Sequence, residues 1–180
     1  MLAWLKRVGF IAACIFALLF AIGLLLPTDY HVSRSIVVEA SSGEVHELVG
    51  DLGRWPEWGP WQQEDPTLKT LIGGKSQGVG ASQSWTGDSG NGELTFTQVD
   101  PQVGVEYDLT FIEGDNKLPS SGYVHYRPLA DKTEVTWGMK GDLKDGPLGI
   151  RGYFASTMDL FVGGMFERGL ERLKARAEAD

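Results

Sequence analysis

The stretch VEYDLTF at residues 105–111 decides the fold, together with ELTF at residues 93–96 and TEVTWGM at residues 133–139. In each segment an apolar side chain alternates with a polar one, which is the period of a β-strand with one buried and one solvated face. Asp, Asn and Gly predominate at residues 88–92 and 113–116, and these residue types tolerate the positive φ angles of tight turns. The three segments therefore predict an antiparallel sheet whose neighbouring strands are joined by hairpins.

Short β-like runs extend this sheet in both directions along the chain. The additional runs cover residues 67–72, 80–86 and 122–128, and a separate run covers residues 31–39. Together they predict a curved antiparallel sheet of about seven strands.

Helical patterns flank the sheet on both sides in the sequence. Ser41 and Glu44 indicate the start of a short helix, whereas the two prolines of residues 55–61 exclude a regular helix across that aromatic loop. Residues 148–177 have helical spacing of large apolar residues, which predicts a long C-terminal helix with one apolar stripe. That stripe contains Ile150, Phe154, Met158, Phe161, Val162, Met165, Phe166, Leu170 and Leu173. Gly163 and Gly164 weaken the middle of the helix and favour a bend.

Residues 8–26 form an uncharged apolar segment of nineteen residues. A helix of that length spans about 28 Å, close to the roughly 30 Å hydrocarbon core of a bilayer. The alternative is a cleaved signal peptide, but its apolar stretch is shorter and ends in a small-residue cleavage site that is missing here. We therefore predict a membrane anchor with a short cytoplasmic stub at residues 1–27, followed by one domain at residues 28–180. Lys6 and Arg7 precede the span, which predicts a single-pass protein with a cytoplasmic N-terminus and a periplasmic or other extracytoplasmic domain.

The folded domain is strongly acidic. Lys6 and Arg7 are two of the 16 basic residues, so the remaining chain has 14 basic and 24 acidic residues and a net charge of −10. We interpret Arg168, Arg172 and Arg176 as part of a solvated helix face, because acidic residues alternate with them. Such a charge repels phosphate backbones, and we expect no nucleic-acid partner.

The sequence indicates neither a metal centre nor another cofactor. Its only cysteine, Cys14, lies in the apolar N-terminal segment, and its three histidines are far apart in the sequence. His125 falls on the polar face of its predicted strand, and we expect it to be exposed. No nucleophile and base occur at catalytic spacing, so the catalytic residues are unknown. Glu57 and Gln83 are the candidates for a polar group near the interior, although we expect Glu57 to be solvated.

The order of these elements resembles the SRPBCC superfamily, which has the START-related helix-grip fold and includes polyketide cyclase/dehydrase-like and lipid-transport proteins. The similarity covers residues 31–176, and its matching segments are residues 35–40, 51–58, 78–81 and 166–170. It implies an α+β helix-grip fold, in which a curved sheet surrounds the long C-terminal helix, here preceded by one transmembrane helix. It also implies a deep apolar cavity between the sheet and that helix. The superfamily contains both carriers and enzymes, so the resemblance does not fix a reaction.

Large rings on the predicted inward faces supply the candidate ligand-binding residues. They are Trp55, Trp58, Trp61, Trp85, Phe96, Tyr107, Phe111, Trp137 and Phe154, with Met158 beside them. An ordinary packed core would also contain such residues, and only the resemblance favours a pocket.

Three functions follow from these features. The first is a membrane-tethered module that binds an apolar or aromatic small molecule or a lipid, with residues 8–26 in the membrane. The second is a polyketide cyclase/dehydratase-like enzyme, and the third is an interaction domain with a filled core.

Overall fold

A computed structural model describes residues 2–179, so Met1 and Asp180, the outer ends of the two predicted segments, lie outside the described residues. The elements are α1 (Leu2–Leu25), β1 (Asp29–Val38), α2 (Ser42–Val49), α3 (Trp55–Trp58), α4 (Trp61–Glu64), β2 (Lys69–Ile72), β3 (Ser82–Thr86), β4 (Asn91–Asp100), β5 (Gly104–Glu113), β6 (Asn116–Leu129), β7 (Lys132–Asp142) and α5 (Arg151–Ala177). The α+β helix-grip prediction is confirmed. A curved seven-stranded antiparallel sheet packs against the C-terminal helix, and one long apolar helix precedes it.

The strand order is β1-β7-β6-β5-β4-β3-β2, so five hairpins build the sheet from β2 to β7 and β1 closes it by pairing with β7. The pairing of β4 with β5 shifts its register between Phe96 and Gln98. Such a bulge bends a strand and increases its twist, which contributes to the curvature of the sheet. The alternation predicted from the sequence places Leu94, Tyr107 and Trp137 in the buried core.

The contact between the sheet and α5 centres on two rings. Trp137 of β7 stacks on Phe166 of α5 with ring centroids 4.4 Å apart and an interplanar angle of 17°. Gly169 lies one turn later, where a Cβ atom would come within 2.5 Å of the Trp137 ring. The glycine therefore allows the helix to lie close to the indole. The indole N–H of Trp137 donates to the Tyr107 hydroxyl at 2.9 Å, which satisfies the buried donor.

Arg34 of β1 lies against α5 at the buried Gly163. A Cβ atom on Gly163 would lie 2.1 Å from the Arg34 guanidinium, so the glycine provides the space for this side chain. Arg34 donates to the carboxylates of Asp159 and Glu167 at 2.7 and 2.6 Å. Helix α5 continues without interruption through Gly163, and the absence of a side chain there leaves room for the Arg34 guanidinium.

The aromatic segment between α2 and β2 forms two single-turn helices, α3 and α4, separated by Gly59 and Pro60. Three arginines of α5, four residues apart, bind this segment. The contacts join Arg168 to the Glu64 carboxylate (2.6 Å), Arg172 to the Gly59 carbonyl (2.8 Å) and Arg176 to the Glu57 carboxylate (3.0 Å). These arginines are solvent-accessible and two of them form mixed-sign pairs, as the interpretation of a solvated face expects, but their partners lie in the aromatic segment and not only on α5 itself.

The apolar stripe of α5 differs from the prediction in its first half. Ile150, Phe154 and Phe161 are 50%, 55% and 63% exposed, so the interior position predicted for Phe154 is wrong. The buried face of this half contains the small residues Gly152 and Ala155 instead. Helical spacing identifies a face of large residues, but here the small-residue face packs more closely against the neighbouring elements.

Helix α1 contains the one segment of the described residues, Trp4–Leu25, that is long and apolar enough to cross a membrane. A membrane span and a signal sequence both have this property. The last turns of α1 contact the start of α5. The Tyr153 hydroxyl donates to the Leu19 carbonyl at 2.7 Å, and a Cβ atom on Gly23 would lie 2.0 Å from the Gly149 carbonyl oxygen.

The link from α1 to β1 is short and is hydrogen-bonded to the end of β7 and to the residue that follows it. Only residues 26–28 separate the two elements. The Thr28 hydroxyl donates to the Asp142 carboxylate at 2.7 Å, and the Thr28 carbonyl accepts from the Leu143 amide at 2.9 Å.

Phe166→Ala and Phe154→Ala form a matched pair on one helix, with exposures of 2% and 55%. We expect Phe166→Ala to lower the free energy of unfolding of the full chain by about 3–5 kcal/mol, because it leaves a cavity beneath Trp137. The effect of Phe154→Ala should be clearly smaller. Denaturant unfolding in mild detergent measures both values, and equal losses would contradict this assignment of the helix faces.

Candidate ligand-binding cavity

An apolar cavity of about 220 Å³ lies between the concave face of the sheet and α5. Strands β3, β4, β5 and β7 contribute the sheet side, and Val162, Met165 and Phe166 contribute the helix side. Trp61 and Leu68 close the flank near α4. The cavity has a buried base and an exposed rim.

The base of the cavity is aromatic, and the indole N–H groups of Trp55 and Trp137 are paired. Trp55 lies edge-on to Tyr107 and to Trp137, with ring centroids 5.6 and 6.5 Å apart. The Trp55 indole N–H donates to the Val49 carbonyl at 2.8 Å, and Tyr107 accepts from Trp137. Burial raises the pKa of the Tyr107 phenol well above its ordinary value, so this group keeps its proton at neutral pH. The base therefore presents uncharged ring surface.

Gln83 is the exception in this apolar lining. Its side chain is 8% exposed, lines the cavity and makes no side-chain hydrogen bond within the described chain. Its neighbours across the sheet are Leu94 and then Leu109, which offer no polar side chain. A primary amide supplies two donors and one acceptor, with which a ligand in the cavity can pair. Gln83 is thus the one primary amide in the described lining, and its amide group is unpaired.

The rim includes Phe111, Thr70 and the turn between β3 and β4 at Ser89. Antiparallel pairing places the end of β5, this turn and the start of β2 at the same end of the sheet as Asp29, where α1 joins β1. The cavity therefore opens at the end of the sheet that carries the apolar N-terminal helix.

Asp65 fixes the turn at the rim. Its carboxylate is buried and accepts from the Thr67 hydroxyl and amide at 2.5 and 2.8 Å, and from the Ser89 amide and hydroxyl at 2.9 and 2.8 Å. The hydrogen bonds from Thr67 and Ser89 hold the pKa of this carboxyl well below its usual range. The ionised form thus anchors the β3–β4 turn to the end of α4.

Six of the ten predicted ligand-binding residues line this cavity. They are Trp55, Trp61, Trp85, Tyr107, Phe111 and Trp137. Trp58 and Phe96 are buried in the core outside the lining, and Met158 packs against the core at a half-buried position. Phe154 is exposed, as described above.

Sequence reasoning missed the helix side of the cavity and much of its aliphatic wall. Leu94, Leu109 and Met139 have the strand alternation that marks inward positions, and Met165 and Phe166 belong to the helical stripe. These signals were present, but they do not separate cavity wall from filled core.

The remaining candidate polar groups lie away from the cavity. Glu57 lies at the surface, where hydrogen bonds from Arg54 and Arg176 lower its pKa. His125 is half-exposed and contacts Glu106 at 3.0 Å. The described residues contain no group of three or more His, Cys, Asp or Glu side chains that could hold a metal ion.

The family model described as "Polyketide cyclase / dehydrase and lipid transport" matches residues 29–178. No curated protein matches the chain.

Solved structures share the fold at low sequence identity. Protein CV1439 from Chromobacterium violaceum has a TM-score of 0.61 and 13% identity, covering 83% of this chain and 98% of its own. A Thermobifida fusca protein studied by solution NMR has a TM-score of 0.60 and 18% identity, with coverage of 82% and 92%. The hypothetical protein jhp0584 from Helicobacter pylori has a TM-score of 0.60 and 10% identity, with coverage of 82% and 87%.

Asp65→Asn should loosen the rim, because an amide cannot accept all the hydrogen bonds that this carboxylate accepts. We expect a lower melting temperature at pH 7 and faster hydrogen exchange at Ser89. Since the folded-state pKa is depressed, the carboxylate stabilises the protein fully above its ordinary pKa of about 3.9, and this contribution is lost as the pH falls towards the lowered value. The difference in melting temperature between Asp65→Asn and wild type should therefore be constant between about pH 7 and 5 and become smaller below about pH 4.

Asp88→Asn is the matched control, because Asp88 lies in the same turn and its side chain makes no hydrogen bond within the described chain. Equal effects of the two substitutions would show that Asp65 does not anchor the rim.

Proposed function

The chain belongs to the polyketide cyclase/dehydrase and lipid transport family, and we propose that it is a membrane-tethered module that binds a small apolar or aromatic molecule between the sheet and α5. The observation that carries this proposal is the apolar cavity with a single free amide, that of Gln83, in its wall.

The size of the cavity limits the ligand. At about 220 Å³ it is larger than the roughly 150 Å³ cavity that holds benzene, and smaller than the roughly 300–1,000 Å³ typical of drug-sized ligands. It therefore suits a one- or two-ring aromatic molecule, or the end of an acyl chain whose remainder leaves through the rim. Because a buried amide gains from a partner, the preferred ligand carries one neutral hydroxyl or carbonyl group that reaches Gln83.

The chemistry of the cavity favours binding over acid–base catalysis. Glu64 and Tyr107 are the titratable side chains of the described lining. Glu64 lies at the rim in an ion pair with Arg168, and the Tyr107 phenol holds its proton. A general acid or base works best with a pKa near the operating pH, and Tyr107 is far from that condition.

The tether of the proposed module is residues 8–26, and the binding domain is residues 28–180. The contact of α1 with Gly149 and Tyr153 supports a retained anchor, because a cleaved signal sequence makes no lasting contact with the mature domain. Lys6 and Arg7 before the span support a cytoplasmic N-terminus and a periplasmic or other extracytoplasmic domain.

Met165→Trp tests the cavity by filling it. Met165 and Met158 are half-buried residues of α5, but only Met165 lines the cavity. We expect Met165→Trp to reduce co-purifying apolar material, as detected by mass spectrometry, and to abolish the thermal stabilisation produced by added 2-naphthol. Met158→Trp is the matched control and should keep both properties. Identical behaviour of the two variants would place the ligand elsewhere.

Gln83→Leu tests the polar part of the ligand class. We expect it to weaken 2-naphthol binding by about two- to tenfold, since a net hydrogen bond contributes about 0.5–1.5 kcal/mol. Naphthalene, which lacks the hydroxyl group, should bind the variant at least as well as wild type. Titration calorimetry or tryptophan quenching measures both affinities, and a parallel loss for the two ligands would exclude a hydrogen bond to Gln83.

A further inference from the structure

The first half of α5 presents a largely apolar face to the outside, in which the exposed Thr157 donates its hydroxyl to the Tyr153 carbonyl of the same helix at 3.0 Å. Ile150, Phe154 and Phe161 are at least half exposed and follow one another at helical spacing of four and seven residues. Leu160 of the same half and Leu148, just before the helix, are also exposed. A contiguous face of this kind is unfavourable in water and marks a contact with an apolar environment.

This face begins where α5 meets α1. A Cβ atom on Gly149 would lie 2.3 Å from the Phe20 ring, and one on Gly152 would lie 2.5 Å from the Leu26 side chain. Phe20 lies six residues before Leu26, or about 9 Å along a helix. The first turn of α5 therefore lies beside the last two turns of α1, so the two helices overlap along the axis of α1.

The same face of α5 changes its chemistry further along. Seven residues after Phe161 the equivalent position is Arg168, followed by Glu171 and Arg172. The charged half is remote from α1, since the Lys174 ammonium donates to the Val37 carbonyl at the opposite end of β1. The apolar half of the helix is thus the half next to α1, the one described segment that is apolar enough to cross a membrane.

We propose that the first half of α5 is seated in the bilayer leaflet next to the domain, with Ile150, Phe154 and Phe161 in contact with lipid acyl chains. This inference rests on the proposed membrane tether. It brings the leaflet close to the cavity, because the cavity opens at the end of the sheet that carries α1. An apolar ligand can then pass between the leaflet and the cavity without crossing water.

Site-specific fluorescence in the full chain tests this seating. Cys14 is the only cysteine, so Cys14→Ala provides a background for single labels. Phe154→Cys and Phe161→Cys, labelled with nitrobenzoxadiazole, are reconstituted in phosphatidylcholine and phosphatidylglycerol vesicles, with and without doxyl-labelled lipid. We expect blue-shifted emission and about twofold or greater quenching by doxyl lipid, since interfacial helices bury their apolar face about 5–10 Å deep. Glu171→Cys, on the charged half of the same helix, should show neither effect.

The control positions distinguish a failure of the proposed membrane tether from a failure of the proposed seating of α5. Phe16→Cys labels the middle of α1, and an absence of lipid quenching there would overturn the tether itself. If position 16 is quenched but positions 154 and 161 behave like position 171, the proposed seating of α5 is wrong. Blue-shifted emission at 154 and 161 without lipid quenching would assign the face to a second copy of the chain and would also overturn the proposal. Binding of 2-naphthol by the same labelled proteins reports the cavity independently of all three outcomes.

Discussion

The stack of Trp137 on Phe166 joins the sheet to α5, and most of the interior is arranged around it. Trp58 and Trp61 meet the same indole edge-on, with centroids 5.1 and 5.8 Å away. Edge-to-face and offset arrangements are the favourable geometries of aromatic pairs, so one ring is stabilised by several partners at once. Because the Trp137 indole also forms the base of the cavity, the fold and the candidate binding site depend on the same contact.

The strands could be predicted from the sequence because their signal is local. Each residue of VEYDLTF faces opposite to its neighbours, and one buried side of the sheet is enough to produce the pattern. The capping box of α2 is also local, and the Glu44 amide does bond to the Ser41 side chain. The buried side of α5 could not be predicted in the same way, because the helical spacing of large residues does not show which other elements cover them. Gly152 and Ala155 pack inward in its first half, although they carry the weaker hydrophobic signal.

The cavity could be predicted only in outline for the same reason. Phe96 and Tyr107 are directly paired inward-facing residues of adjacent strands, yet only Tyr107 lines the cavity. The difference arises from neighbours that are distant in sequence, above all the aromatic segment of α3 and α4. That segment is held by the buried Trp55 and Trp58 and by contacts from three arginines of α5, whose four-residue spacing was visible but whose partners were not. The alternation of Gln83 with Trp85 indicates an inward position. The lack of a hydrogen-bond partner could not be predicted, because it depends on the apolar neighbours that β4 and β5 place beside this side chain.

The short link between α1 and β1 determines how the domain can meet other molecules. Residues 26–28 span at most about 11 Å when extended, and Thr28 is bonded to Asp142 and Leu143. Such a short, hydrogen-bonded link does not allow the domain to move far from the end of α1 or to reach a distant surface. With α1 in a bilayer, its search is two-dimensional and its encounters depend on lateral diffusion. Under the proposed function, donors and acceptors of its ligand would therefore have to travel to it, either within the same leaflet or through the adjoining aqueous layer.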